Sequence, residues 1–459
     1  MFEDIPVEVG LVHVGERIRK NDMYVEMGGP DIKEKFELVR VRPAEKVHDG
    51  SITVIGPDIS QMQPQVKYPF GILIEIAGPE LEEDLEGVIE RRIHEYTNYI
   101  EGFMHLNQRY DIWIRLSKKA YNKGFTTLSY VGRVLEHLLK NELPIIERMQ
   151  ITFITDAQKI AEVYPEAKKI YEARDARARG LTDDDVDVFY GCALCQSFAP
   201  SHVCVITPQR YANCGAISWF DGRAAARIDP KGPIFPIEKG ECFDTVRGEY
   251  AGINESAKKR SLGAVSRVYL YSAFSYPHTS CGCFEGIAFY IPEAEGFGIV
   301  MRGYNEVTVN GLPFSTMADS TAGGRQVDGF HGISLEYMRS PRFLAADGGY
   351  ARVVWMPSAL KGQIQSFIPA ELFGKIATEK DAKTISELVE FLREHLHPVL
   401  DRWQKEKRTS DTSSALTVFA GGDIPMTAGG FRIILKNARI YAERVIVQPI
   451  RPEKQKPGD

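Results

Sequence analysis

Apolar residues in "YPFGILIEIAG" (68–78) run almost unbroken and stop at Gly78-Pro79, the pattern of a buried strand. The rhythm then changes. In "ELEEDLEGVIERRIHEYTNYIEGF" (80–103), Leu85, Val88, Ile89, Ile93, Tyr96, Tyr99, Ile100 and Phe103 recur at helical spacing. Acids crowd the first turn, where the helix dipole favours them. "MQITFITD" (149–156) predicts a second strand, and "AQKIAEVYPEAKKIYEARDARA" (157–178) a helix with a basic far end. Strand, helix, strand, helix predicts α/β layers.

After the acidic "TDDDVDVFYG" (182–191) the chain turns rich in Gly, Pro and aromatics. Short strands are predicted at "RVYLYSAF", "GIAFYIP", "FGIVMR" and "ARVVWMP", with little helix before "TISELVEFLREHLHPVL" (384–400). Long loops between short strands mark a functional domain. "KEKRTSDTSS" (405–414) reads as a linker, and "FRIILKNARIYAERVIV" (431–447) as two strands about an Asn-containing turn. The expected organisation is an α/β domain over 1–183, a second main domain over 184–403, a linker over 404–430 and a β-hairpin segment over 431–459. The fold class is α/β in the mixed α+β sense.

Composition narrows the function. The 459 residues are 44% hydrophobic and 26% charged, with a formal charge of −6, an ordinary globular profile. No concentrated basic surface argues for nucleic acid. No apolar run reaches the roughly 18 residues of a membrane span. The opening "MFEDIPVEVG" is acidic where a signal peptide is basic, so a cytoplasmic location is expected. Seven cysteines is an odd number, which suits metal or redox chemistry better than a disulfide framework.

Six of those cysteines form two groups. "CALCQSFAPSHVCVITPQRYANC" holds Cys192, Cys195, Cys204 and Cys214, and "PHTSCGCFEG" holds Cys281 and Cys283. Four thiolates within one loop suit either a structural zinc or an iron–sulfur cubane. A single close pair followed by two spread cysteines favours the cubane, since zinc sites are usually two close pairs. Unligated core thiols are the plain alternative. Cys281-Gly282-Cys283 offers more. Its two thiolates and the backbone nitrogens of Gly282 and Cys283 can close a flat N2S2 set, which suits square-planar Ni(II) and not zinc. Glycine in the middle removes a Cβ from this unusual geometry. The plain reading is a loop with two reduced thiols.

Through these cysteines the chain resembles the beta subunit of the acetyl-CoA decarbonylase/synthase complex, the archaeal form of acetyl-CoA synthase. The resemblance rests on "DVDVFYGCALCQSFAPSHVC", "CGAISWFDGRAAA", "PHTSCGCFEG" and "HLNQRYDIWIR", and runs from near the N-terminus to "LKNARI". It implies a [4Fe–4S] cubane bridged to two nickels. Cys192, Cys195, Cys204 and Cys214 would hold the cubane. Cys195 would also bridge to the proximal nickel, and Cys281 and Cys283 would bridge the two nickels. The nitrogens of Gly282 and Cys283 would complete the distal nickel. The implied reaction joins CO, a methyl group and coenzyme A into acetyl-CoA, reversibly. Carbon monoxide dehydrogenase would supply the CO and a corrinoid iron–sulfur protein the methyl group. Phe198 matches an aromatic that lies over the proximal nickel. The chain is expected to lack the further N-terminal domain of bacterial members. An electron-transfer subunit with a cubane alone, or a zinc-stabilised scaffold, are the alternatives.

Other residues carry less. His202 and His278 lie beside ligand cysteines and read as supports. Cys242 reads as a structural thiol. "STAGGRQVDG" (320–329) lacks the Lys-Ser/Thr ending of a phosphate loop. "NQRYDIWIRLSKK" (107–119) combines Arg109, Arg115, Lys118 and Lys119 with Trp113, a set that could meet the phosphates and adenine of CoA. The resemblance places the family's CoA region in this part of the chain. A solvated basic edge is the alternative.

Overall fold

The computed structural model describes residues 2–403 except 107 and 108. The expected linker and C-terminal hairpin lie outside the described residues. The first half supplies β1 (Met23–Gly28), β2 (Lys35–Val41), β3 (Ser51–Ile55), β4 (Lys67–Tyr68), β5 (Phe70–Ala77), β6 (Phe103–His105), β7 (Trp113–Ser117) and β8 (Arg148–Ile154). They form two four-stranded sheets in the orders β2-β5-β8-β3 and β4-β1-β7-β6. In the first, β5 runs antiparallel to β8, while β2 and β3 pair in parallel with β5 and β8. The sheet is therefore mixed. The unbroken apolar run of β5 is explained by its place between two strands, with Phe70, Ile72, Ile74 and Ile76 fully buried.

Three long helices pack with these strands: α1 (Glu86–Thr97), α2 (Ser129–Glu142) and α3 (Ala157–Arg179). The helix expected over 80–103 stops at Thr97. Asn98 ends it by donating its side-chain amide to the carbonyls of His94 (2.7 Å) and His105 (2.8 Å). Phe103 then begins β6 rather than a further turn. α1 is buried along its whole length.

The second half is built on smaller sheets. β9 (Val188–Cys192), β10 (Cys204–Ile206) and β11 (Ile234–Glu238) form an antiparallel sheet with β9 central. β12 (Cys242–Asp244) and β13 (Glu249–Tyr250) make a two-stranded pair that exposes Cys242. β14 (Gly286–Ile291), β15 (Gly296–Met301), β16 (Phe330–Ile333) and β17 (Val353–Trp355) form the last sheet, in the order β16-β14-β15-β17. "RVYLYSAF" is not a strand. Side chains hold it instead: the Tyr271 hydroxyl donates to Asp183, and the Ala273 N–H donates to Asp347 (2.7 Å). The helix expected over 384–400 ends at Glu394, because Leu396 turns left-handed (φ 49°) ahead of Pro398.

Among the described residues no helix is long and apolar enough to cross a membrane.

Candidate metal centre

Cys192 ends β9 and Cys204 begins β10, and the two stand opposite each other in the antiparallel register. Cys195 lies in a short 3-10 turn, Leu194–Ser197, directly after β9. Cys214 sits in the loop beyond β10, where Asn213 N–H donates to the Cys204 sulfur at 3.4 Å. Cys281 and Cys283 precede β14. The fold brings them onto Cys195: the three sulfurs lie within 4.8 Å of one another. Ala199 packs into the same small buried group.

Gly282 has φ +128°, a backbone conformation that L side chains rarely adopt. A Cβ there would meet only Ala322 at 3.4 Å, so conformation and not space demands glycine. The Cys283 N–H faces the Cys281 sulfur at 3.3 Å, so nitrogen and sulfur of the tripeptide already point together.

The surroundings favour thiolates at one position and neutral thiols at the others. Burial pushes Cys192 and Cys204 up and takes Cys214 to about 12. Cys281 is raised well above the usual thiol range by its contacts with Cys195 and Cys283. Hydrogen bonds from the Cys281 and Cys283 thiols, and then the Arg91 cation, hold Cys195 well below it. Buried thiols packed this densely resist shedding their protons unless positive charge arrives, which is the condition a bound metal meets.

Residues outside the motifs complete the centre. Arg91, on α1, is buried and donates from Nη2 to the Cys195 sulfur at 3.1 Å and toward the Cys283 sulfur at 3.9 Å. Its Nη1 has no hydrogen-bond partner among the described residues. His94, one turn on, places Nε2 3.7 Å from the Cys283 sulfur. Arg302 donates from Nη2 to the Gly282 carbonyl (2.5 Å) and from Nε to the Phe284 carbonyl (3.2 Å). "STAGGRQVDG" is a brace and not a phosphate loop. Gly323 N–H donates to the Cys281 carbonyl (3.2 Å) and Gly324 N–H to the Ser280 carbonyl (2.8 Å). Gly324 is glycine because a Cβ would sit 2.7 Å from the His202 nitrogen.

The histidines beside the cysteines act as supports. His202 pairs through Nδ1 with the Thr279 hydroxyl (2.9 Å), and His278 Nε2 accepts from the Val205 N–H (2.9 Å). Burial lowers both, His202 to about 4, so each is neutral.

The 107–119 stretch separates into unlike parts. Arg109 is corrected: it is buried, and its Nη1 grips both oxygens of Asp175 (3.0 and 3.1 Å). A phosphate could reach it only by displacing that carboxylate. Arg115 donates from Nε to Glu26 (2.7 Å) and from Nη1 to the Ile18 carbonyl (3.0 Å), and lies 4.8 Å from the Trp113 ring centre. Lys118 donates to the Asn21 carbonyl and Lys119 pairs with Glu101.

Comparison with known proteins is consistent along the chain. Residues 5–160 match the family described as CO dehydrogenase/acetyl-CoA synthase complex beta subunit, and residues 171–403 match the family described as the C-terminal part of the ACS/CODH beta subunit. The acetyl-CoA decarbonylase/synthase complex subunit beta of Methanothermobacter thermautotrophicus is 53% identical, over 98% of this chain and all of the relative. That of Methanopyrus kandleri is 51% identical over 97% of each chain.

The chain belongs to this beta-subunit family.

Subunit beta 2 of Methanosarcina thermophila is 46% identical over 99% of this chain and all of that one. Among solved structures, the C-terminal domain of an acetyl-Coenzyme A synthase alpha subunit is 38% identical over 26% of this chain and 96% of that one, with a TM-score of 0.24. Within this beta-subunit frame, Cys195, Cys281 and Cys283 form a three-sulfur group that could hold a metal. Arg91, His94 and Arg302 were not singled out from sequence. Each lies far along the chain from a sulfur or carbonyl it meets, and no short motif marks them.

Proposed function

We propose that this chain is an acetyl-CoA synthase/decarbonylase subunit, an acyltransferase that reversibly assembles acetyl-CoA from CO, a corrinoid-bound methyl group and coenzyme A. The observation that carries the reading is the meeting of Cys195 with Cys281 and Cys283. It joins the four-cysteine loop to the C-G-C tripeptide, so one sulfur belongs to both sets. An electron-transfer cubane alone would leave the tripeptide without a role.

The donor set fits a nickel–nickel–[4Fe–4S] group. A single zinc with bonds of about 2.3 Å would draw its four sulfurs to about 3.8 Å of one another. Cys192, Cys195, Cys204 and Cys214 are more open: no three of them meet within 4.8 Å. In this reading those four residues would hold the cubane, and Cys195, Cys281, Gly282 and Cys283 would hold the nickels. When bound, the group supplies the carbon–carbon and carbon–sulfur bond-forming chemistry.

The chain's own residues set the conditions. α1 closes one side of the centre and seals it with Arg91 against the sulfurs. Phe198 is 36% exposed and its N–H bonds back to the Cys195 carbonyl (3.3 Å), which supports a place for it at the solvent side of the centre. Its apolar ring would exclude water while admitting CO, which needs no hydrogen bond. Arg115 and Trp113 are the residues proposed to meet CoA, with Arg115 Nη2 as the group that could face a phosphate. Carbon monoxide dehydrogenase subunits and a corrinoid iron–sulfur protein are the proposed partners, in the cytoplasm.

Metal analysis of anaerobically purified protein tests the reading. Iron with nickel is expected. Iron alone would mean electron transfer, and zinc alone a scaffold.

A further inference from the structure

The nickel reading asks two backbone amides to give up their protons, and the structure has cationic and N–H donors waiting where that charge would go. The Gly282 nitrogen shares its peptide with the Cys281 carbonyl, and the Cys283 nitrogen shares its peptide with the Gly282 carbonyl. Peptide resonance spreads charge from nitrogen onto that oxygen. These are the two oxygens already held, Cys281 O by the Gly323 N–H (3.2 Å) and Gly282 O by Arg302 Nη2 (2.5 Å).

We propose that Arg302, with the Gly323 N–H, is a positioning residue that stabilises the charge nickel leaves on the peptide oxygens of Cys281-Gly282-Cys283. The proposal rests on the nickel reading above. When Ni²⁺ enters, two thiol protons and two amide protons leave to solvent. No electron moves, and the unit gains a net charge of −2. The amide share of that charge appears on the two carbonyl oxygens.

Arg302 is placed for this and for little else. Its own N–H donates to the Glu285 carbonyl (2.8 Å), which fixes its start just past β15. The guanidinium lies 5.6 Å and 5.3 Å from the ring centres of Phe284 and Phe314. Both of its hydrogen bonds go to backbone carbonyls, and the Cys283 sulfur and the Asp111 carboxylate attract its charge. The same cation facing an amidate oxygen makes a charge-assisted bond.

Nickel and zinc separate this role from a simple clamp on the loop. Zinc takes thiolates in a tetrahedron and leaves the amides protonated, whereas square-planar nickel needs the nitrogens. The full chain, with its iron–sulfur cluster in place and held anaerobically, is titrated with Ni²⁺ or Zn²⁺ alone. Arg302→Met should lose about tenfold to a hundredfold in nickel affinity, the worth of a charge-assisted hydrogen bond, and keep its zinc affinity. X-ray absorption at nickel should show fewer nitrogen ligands. Equal loss for both metals reduces Arg302 to a clamp and overturns the proposal, as does no loss. If Arg302→Met fails to retain iron, Arg302→Lys decides by the same comparison. A loss confined to nickel upholds the proposal, and loss of both or neither overturns it. The wild-type nickel spectrum tests the underlying reading separately. Sulfur-only ligation there would remove the N2S2 site itself, whatever the variants do.

Discussion

α1 and the cysteine loops face each other across the same centre, and they are built on opposite rules. The cysteine side is local. Three of its sulfurs stand in one stretch of strand, turn and strand, and two more flank one glycine. The α1 side is assembled from a distance. Its sequence, "EGVIERRIHEYT", holds three Glu and two Arg, yet every residue of it is buried. Partners from elsewhere make that tolerable. Glu90 accepts from the Val39 N–H (3.1 Å) and pairs with Arg174 (2.8 Å). Glu86 accepts from the Val41 N–H (2.7 Å) and pairs with Arg174, and Arg92 bridges Glu95 and Glu142. Arg91 and His94 turn toward sulfur instead. One side therefore supplies sulfur, and the other supplies charge. Buried charges of this kind cost more to orphan than to keep, because each lost partner leaves the other uncompensated.

The largest effect should come from the ligand side. Cys281→Ala or Cys283→Ala is expected to abolish acetyl transfer while iron and the cluster's visible absorption stay. Cys204→Ala should lose iron instead. Nickel and activity persisting in Cys281→Ala would break the division between the two cysteine sets.

The next tests the charge side. Arg91→Met removes the donor to Cys195 and Cys283 and leaves α1 otherwise intact. The metal-free protein should lose about 1.5–3 kcal/mol, the range for a hydrogen bond to a charged group. The measurement is denaturant unfolding under reducing conditions. Arg91→Lys should recover part of the loss, because it restores charge without the fork. A wild-type midpoint in Arg91→Met would show that α1 merely abuts the sulfurs.

How far this centre could be read in advance follows from the same contrast. The cysteine motifs were legible because they are written in spacing, the β5, β14 and β15 strands because their apolar runs are nearly unbroken, and β8 because its apolar residues alternate. Mixed α+β architecture followed. Arg91, His94 and Arg302 were not legible, since what defines them is the sulfur or carbonyl they meet after folding. Arg109 misled for a related reason. Beside Trp113 it looked like a phosphate group's partner, and only the fold shows Asp175 against it. Helix 80–103 ran too long because Tyr99, Ile100 and Phe103 keep helical spacing through a turn that Asn98 has already made.

A smaller effect should appear in the pH dependence of α1. Burial, opposed by Arg174, raises Glu86 from 4.5 to about 7. A carboxyl whose folded value lies above its unfolded one favours the fold while protonated. Its contribution is thus full below about 4.5 and is lost as pH rises toward about 7. The shift corresponds to about 3 kcal/mol at most. Glu86→Gln keeps an acceptor for the Val41 N–H and cannot ionise. Its stability should fall less between those pH values than the wild type's does. Parallel stability curves for the two proteins would assign the slope to other groups.

The smallest effect on stability, and the most specific effect on chemistry, is expected at Phe198. It belongs to the cysteine side by sequence, three residues past Cys195, but its proposed action is by shape and not as a ligand. A core phenylalanine cut to alanine costs about 3–5 kcal/mol. Phe198 is 36% exposed, so much of that penalty does not apply. Its N–H bond to the Cys195 carbonyl is made by the backbone and survives the substitution. Phe198→Ala should therefore fold with its iron and nickel in place and unfold within about 1 kcal/mol of wild type, as surface substitutions do. What should change is access. Without the ring, a second CO or a bulkier acyl group has room beside Cys195. Sensitivity to CO inhibition should rise, and propionyl transfer should gain on acetyl transfer. Both are measured per nickel-loaded site, so a loss of folded protein cannot imitate them. Unchanged selectivity and CO sensitivity would make Phe198 a surface residue with no gate to keep. A stability loss of core size would instead place its ring inward, on the packing side of the loop.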